Sequence, residues 1–506
     1  MKIVDAEARE RALDRCRERG VVIPTFAQQR DPSTVDPAIV EALAGLDMEA
    51  PDPLNLFRIT WRNEGSGAGF GEVNAIEIPA ELSGVHARIV GLVGERFPTG
   101  AHKVGAAFGC LVPRLVSGEF DPTTHKAVWP STGNYCRGGV FDSALLGCSS
   151  IAILPEEMSR ERFDWLRRMG AEVIATPGCE SNVKEIFDAC WEIRESRPEA
   201  VIFNQFEEYG NYLWHYGVTG PAVESVFAGM AGPSDRLSAW VSATGSAGTL
   251  GAGDYLSQSH AGCRITAAEA LQCPTLLRAG FGGHRIEGIG DKHIPWIHNV
   301  RNTDLVTAID DEAAMRLLRL FNEPAGREVL LRRGVPEDTV RQLPLLGISS
   351  IGNLLAAIKT SRWFELDEHD IVFTSFTDSV CLYGTRLEEL TAERGEYDVV
   401  SAEIDFERRL LAASTDHTRE LTYPERKAIH NLKYFTWVEQ QGRTVDELDA
   451  LWSPSFWRDL QAQLPEWDEA IVAFNDAAGV SDRATRRDTA TPGPPAAPGA
   501  TKAATD

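Results

Sequence analysis

The sequence predicts an α/β protein of two domains, with parallel-rich sheets flanked by helices and a helical extension at its C-terminal end. Three observations carry this expectation. The chain has 506 residues, room for two to four units at roughly 150 residues each. From about residue 148, short β-rich runs alternate with amphipathic stretches, as parallel strands joined by helical crossovers require. A second alternating block follows further along, and beyond about residue 390 the strand signal fades into polar helices.

Taken in order, residues 1–52 read as an N-terminal helical segment, and 53–390 as the main body, with a smaller domain at about 105–215 inserted in the larger one. In the smaller domain SSIAILP, AEVIATP and AVIFNQF read as strands. Between them RERFDWLRRMG and NVKEIFDACWEIRES read as helices, the second placing Val183, Ile186, Phe187, Cys190 and Ile193 on one face. RLSAWVSATG then runs into a glycine turn and a helix, followed by CRITAAEAL and, near 370, DIVFTSF. Residues 391–478 form the helical extension, with tryptophans at 437, 452, 457 and 467. The stretch 479–506 is rich in Pro, Ala and Thr without core-forming residues, so it is expected to be disordered.

Composition narrows the function. With 43% hydrophobic and 25% charged residues, the chain is of globular type. A net charge of −24 repels phosphate backbones and anionic lipid, so neither nucleic acid nor a membrane is an expected partner. No apolar run nears the roughly 20 residues of a spanning helix and the charged start offers no secretory core, so a cytoplasmic protein is expected. Nine cysteines without a CxxC pair indicate neither a disulfide framework nor a metal site; most are expected to be small core residues. Lysines are scarce, nine in all, which shortens the search for a catalytic amine.

Four segments carry chemistry. In FPTGAHKVGAAFG, Lys103 follows a Pro-Thr-Gly turn and opens a small-residue helix. Apolar shielding there would favour its neutral, nucleophilic amine, although a lone loop lysine is more often a surface charge. Ser131-Thr132-Gly133-Asn134-Tyr135 is dense in hydrogen-bonding groups, suited to a carboxylate or ring oxygen, or else to capping a helix. The turn Thr244-Gly245-Ser246-Ala247-Gly248-Thr249 lets backbone N–H groups approach an anion, with phosphate the natural ligand; a tight packing turn is the alternative. It has neither the Walker nor the GxGxxG pattern. Gly347-Ile348-Ser349-Ser350-Ile351-Gly352-Asn353 precedes an apolar helix that a serine could simply cap.

Together and in this order, the four segments resemble the cysteine synthase and cystathionine β-synthase family of pyridoxal-phosphate enzymes, fold type II, with a tryptophan synthase β-like architecture. The likeness spans about Pro53 to Leu387 and includes Glu287-Gly288-Ile289-Gly290 and DIVFTSF. It implies pyridoxal 5'-phosphate as cofactor, bound within 53–390, and a homodimer. Lys103 would form the Schiff base, Asn134 would bond the ring oxygen, Gly245, Ser246, Ala247, Gly248 and Thr249 would cradle the phosphate, and Ser349 would face the pyridine nitrogen. Ser131, Thr132 and Tyr135 would take the substrate carboxylate, although the family usually has threonine where Tyr135 stands.

A neutral serine opposite the pyridine nitrogen makes the ring a weaker electron sink than a carboxylate partner would. That suits removal of the α-proton by Lys103 coupled to loss of a β-substituent, leaving an aminoacrylate. The expected reaction is β-elimination or β-replacement on a cysteine-like or O-activated serine amino acid. A serine or threonine dehydratase is the rival enzyme, and a scaffold that retains the fold without catalysis is the rival outside enzymes. Two departures stand out: Cys136-Arg137 after the asparagine loop, and Asp291-Lys292-His293 after the Gly-Ile-Gly turn, where family members have small and apolar residues. Lys292 and His293 are therefore candidate substrate contacts, with Lys292 favouring a second acidic group, unless the triplet is a solvated loop tip.

Overall fold

A computed structural model describes residues 1–480 apart from Ser66, Thr132, 157–159 and 178–182. The expected disordered tail lies outside the described residues from 481 on. Eleven described strands form two sheets: β1 (Ala75–Ile78), β2 (Arg88–Val93), β3 (Lys126–Pro130), β4 (Ser149–Pro155), β5 (Glu172–Thr176), β6 (Ala200–Ile202), β7 (Arg236–Ala243), β8 (Arg264–Ala270), β9 (Leu305–Ile309), β10 (Asp370–Phe376) and β11 (Thr418–Glu420). The larger sheet runs β1-β2-β10-β7-β8-β9-β11 and the smaller β5-β4-β3-β6. All pairings in the smaller sheet are parallel, and in the larger only the edge strands β1 and β11 are antiparallel.

Both faces of the larger sheet are covered, which explains why its central strands read as near-continuous apolar runs. Every residue of β10 is buried. Along β7, Ala239 and Val241 join the core of Ile351 and Leu354 from the helix Ile348–Trp363. The intervening Trp240 joins the core of Ala252 and Leu256 from the helix Leu250–Ser259. Side-chain alternation along one strand therefore feeds two separate cores. In the smaller domain, Ile186, Cys190 and Ile193 of the helix Val183–Ser196 pack on Val128, Ile151 and Ile153, while the side chains of Val183 and Phe187 lie outside the described residues.

The C-terminal region is helical, as expected, with one addition. β11 pairs with β9 and completes the edge of the larger sheet. Three residues are too short for any periodicity to announce a strand. Trp437 and Trp457 are buried, and the Lys433 ammonium, fully enclosed, donates to the main-chain oxygens of Trp296 and His298, both at 2.8 Å. Seven of the eight described cysteines are buried and none is paired. Burial pushes the Cys136 thiol up to about 12, so it stays protonated and unreactive. Among the described residues no helix is long and apolar enough to cross a membrane.

Candidate active site between the two sheets

Parallel strands deliver their carboxyl ends to one side of a sheet, and ligands collect there. A cleft at this place is bordered by Lys103, Ser131, Asn134, Gln205, Gly245, Ser246, Asp291 and Ser349, among others. The smaller sheet contributes the segments after β3 and β6, and the larger sheet the turn after β7. Three of the four sequence motifs thus meet the fourth across a single cleft.

Lys103 opens the helix Lys103–Ser117. Its amine donates to Ser246 Oγ at 3.2 Å, and burial lowers its pKa to about 8. Beside it, His102 is fully buried with neither ring nitrogen partnered among the described residues. Burial first, and the charge of Lys103 second, lower its pKa to about 3, so it remains neutral.

The turn 245–249 is shaped by close approach. A Cβ at Gly245 would lie 2.8 Å from the Gly288 carbonyl oxygen, and one at Gly248 would lie 2.0 Å from Asn211 Oδ1. Ala247 takes a left-handed φ of 64°. Thr249 is the N-cap of the helix Leu250–Ser259, yet its side chain makes no capping bond; the hydroxyl is engaged with Ser242. The N–H groups of Leu250, Gly251 and Ala252 donate back to the carbonyls of Ala247, Gly248 and Thr249 at 3.1, 2.9 and 3.2 Å, so an anion is left to the N–H groups of the turn itself. A chain of hydrogen bonds ties this turn to the opposite wall. Asn211 Nδ2 donates to Ser246 Oγ at 2.9 Å and to the Gln205 carbonyl at 3.0 Å, and Gln205 Nε2 donates to Ser131 Oγ at 3.3 Å.

Asn134 begins the helix Asn134–Leu146, whose N-cap is Gly133 with no side-chain capping bond. Its amide nitrogen donates to Asp378 Oδ2 at 2.7 Å, and Tyr383 donates to the same oxygen at 2.7 Å. Ser349 lies in the first turn of the helix Ile348–Trp363, where Gly347 is the N-cap and again no side chain caps. Helix capping therefore accounts for neither polar segment. Thr132 lies outside the described residues.

These features fit a phosphorylated aldehyde cofactor: a buried amine of lowered pKa, an anion-ready glycine turn, and amide and hydroxyl groups around the space between. The model of the family described as pyridoxal-phosphate dependent enzyme matches residues 95–329. A cysteine synthase of Staphylococcus aureus is 30% identical over 268 residues, covering 52% of this chain and 78% of that one. The chain belongs to the cysteine synthase and cystathionine β-synthase family. It is a pyridoxal-phosphate-dependent enzyme of fold type II. A cystathionine beta-synthase of Saccharomyces cerevisiae is 25% identical over 366 residues, covering 70% of this chain and 68% of that one. Among solved structures, O-acetyl serine sulfhydrylase isoform 3 of Entamoeba histolytica shares the fold at a TM-score of 0.55 and 21% identity, over 67% of this chain and 94% of that one.

Within this family frame, some expected contacts are placed differently. Tyr135 borders the cleft; its ring is buried edge-on to Trp129, 5.4 Å between centroids, and its hydroxyl is buried without a hydrogen-bond partner among the described residues. Lys292 is exposed and does not border the cleft; its neighbour Asp291 does. His293 lies behind, its Nδ1 3.0 Å from Asp291 Oδ1. Sequence reasoning missed Gln205, Asn211 and Asp378. Gln205 and Asp378 lie just past the carboxyl ends of β6 and β10, a position that could have flagged them.

Proposed function

We propose that the chain catalyses β-elimination or β-replacement on a cysteine-like or O-activated serine amino acid. The observation that carries this reading is the buried Lys103 amine, with its pKa lowered to about 8, facing a cleft rimmed by hydroxyl and amide groups. Bound pyridoxal phosphate supplies an electron sink for charge at the substrate α-carbon. Lys103 holds the cofactor aldehyde, and its freed amine accepts the α-proton. The 245–249 turn holds the phosphate through its backbone N–H groups. Asn134 is aimed at the ring oxygen and Ser349 at the ring nitrogen. Ser131, fixed by Gln205, grips the substrate carboxylate together with the Asn134 end of its helix. A homodimer in the cytoplasm belongs to the same proposal, and sedimentation of the purified chain tests the dimer.

A panel of amino acids bearing different β-leaving groups, followed for keto acid and ammonia release and for product thioether, tests the activity. Turnover with cysteine or an O-acylated serine, and its loss in Lys103→Ala, is the expected result. Absence of turnover with every member of the panel would overturn the reading.

A further inference from the structure

Asp291 presents an incompletely satisfied carboxylate on the cleft wall. Its Oδ1 accepts from the Lys292 backbone N–H at 2.8 Å and pairs with His293 Nδ1 at 3.0 Å. Its Oδ2 is buried and has no partner among the described residues. The main chain is fixed on both sides of this group: Thr275 Oγ1 donates to the Asp291 carbonyl at 2.6 Å, and the Gly290 N–H donates to the Thr244 carbonyl at 2.9 Å. A buried carboxylate oxygen without a donor is costly, and Asp291 is a residue of the cleft wall where substrate is proposed to lie.

The backing of this carboxylate comes from the C-terminal extension. The His293 ring lies edge-on between Phe206, 4.9 Å away, and Trp437, 5.6 Å away. Trp437 Nε1 donates to the Ile294 carbonyl at 2.8 Å, and Lys433 holds the Trp296 and His298 carbonyls. The segment 293–298 is thus strapped down by residues far beyond the matched family region.

From this geometry we propose that Asp291 is a specificity-determining residue that accepts a hydrogen bond from the β-substituent or incoming nucleophile, with Trp437 as its positioning residue. The inference rests on the function proposed above and adds a substrate class to it. A carboxylate at this place selects for a neutral or cationic donor such as a thiol, hydroxyl or ammonium. It selects against a second acidic group by like-charge repulsion, the reverse of what Lys292 suggested in the sequence.

The test measures equilibrium binding of cysteine, and of an amino acid carrying a carboxylate on its β-substituent, to Lys103→Ala protein loaded with pyridoxal phosphate. Steady-state kcat/KM for both is measured with Lys103 intact. A hydrogen bond to a charged group corresponds to about a tenfold to hundredfold change in affinity. Asp291→Asn is expected to weaken cysteine binding by about that factor, to raise KM more than kcat falls, and to improve binding of the acidic compound. Trp437→Phe, which loses only the N–H, is expected to shift the same ratio in the same sense by a smaller factor. It also carries the test should Asp291→Asn not fold. Equal small changes for both compounds in the variants would overturn the role of Asp291 while leaving the proposed function standing. Failure of the parent protein to bind or turn over either compound would overturn both.

Discussion

Asn134 and Asp378, 244 residues apart in sequence, are joined by a 2.7 Å hydrogen bond from amide to carboxylate. Asp378 is fully enclosed, and burial raises its pKa to about 6 despite the donors from Tyr383 and Asn134. The contact turns the Asn134 amide so that one N–H is spent on Asp378, leaving the other N–H and the oxygen to face elsewhere. A group that holds the proposed cofactor contact Asn134 in one orientation should be coupled to it energetically.

Asp378→Ala is therefore expected to weaken pyridoxal-phosphate binding about tenfold, read from cofactor fluorescence on dilution. Asn134→Ala should cost a similar factor, and the double variant little more than either alone. Fully additive losses would separate the two residues.

Lys103 carries a pH signature. Its ordinary value is 10.5 and burial brings it to about 8, so the neutral amine predominates above about pH 8 and is lost as pH falls through that value. Capture of pyridoxal phosphate by the apoprotein should rise about tenfold per pH unit below 8 and level off above it. A rate still climbing steeply between pH 9 and 10 would assign the reacting amine to a solvated lysine. In Lys103→Ala the cofactor should bind but not be fixed by borohydride.

Gly248 has no room for a side chain beside Asn211. Gly248→Ala should push Asn211 off Ser246 and lower cofactor affinity at least tenfold, and Gly248→Asp should do more by adding negative charge next to the phosphate site. Ordinary cofactor retention after dialysis in Gly248→Asp would remove the turn from the cradle.

What the sequence made legible were the parts whose chemistry is carried by contiguous residues. Lys103, the 245–249 turn and the Ser349 helix start each bring their own local signal, and the fold class follows from strand and helix alternation. Asp378 and Gln205 escaped because each acts on a motif from a distant strand end, and no local pattern records the pairing. In the loop 291–293 no periodicity tells which neighbour faces inward, so the exposed Lys292 stood in for Asp291.

The two ends of the described chain clasp each other, and this leads to the last prediction. Asn475, near the end of the helix Gln463–Ala478, accepts from the Ile23 N–H at 3.1 Å and donates to the Ile23 carbonyl at 2.8 Å. Asp468 accepts from the N–H groups of Phe26 and Ala27 at 2.7 and 3.1 Å, satisfying the first turn of the helix Phe26–Arg30. Gln461 donates to the Tyr212 hydroxyl at 2.8 Å within the catalytic body. Ending the chain at residue 390 removes these partners, bares the β9 edge and exposes the apolar surface under Trp437 and Trp457. Such a protein is expected to be insoluble, whereas one ended at 480 keeps every contact named here and should behave as the full chain does. Asn475→Ala is the finer probe: it strands a buried N–H and C=O, and should cost about 2 to 4 kcal/mol in denaturant unfolding. A soluble, fully active chain ending at 390, or an Asn475→Ala protein as stable as its parent, would show that the clasp contributes nothing to the fold.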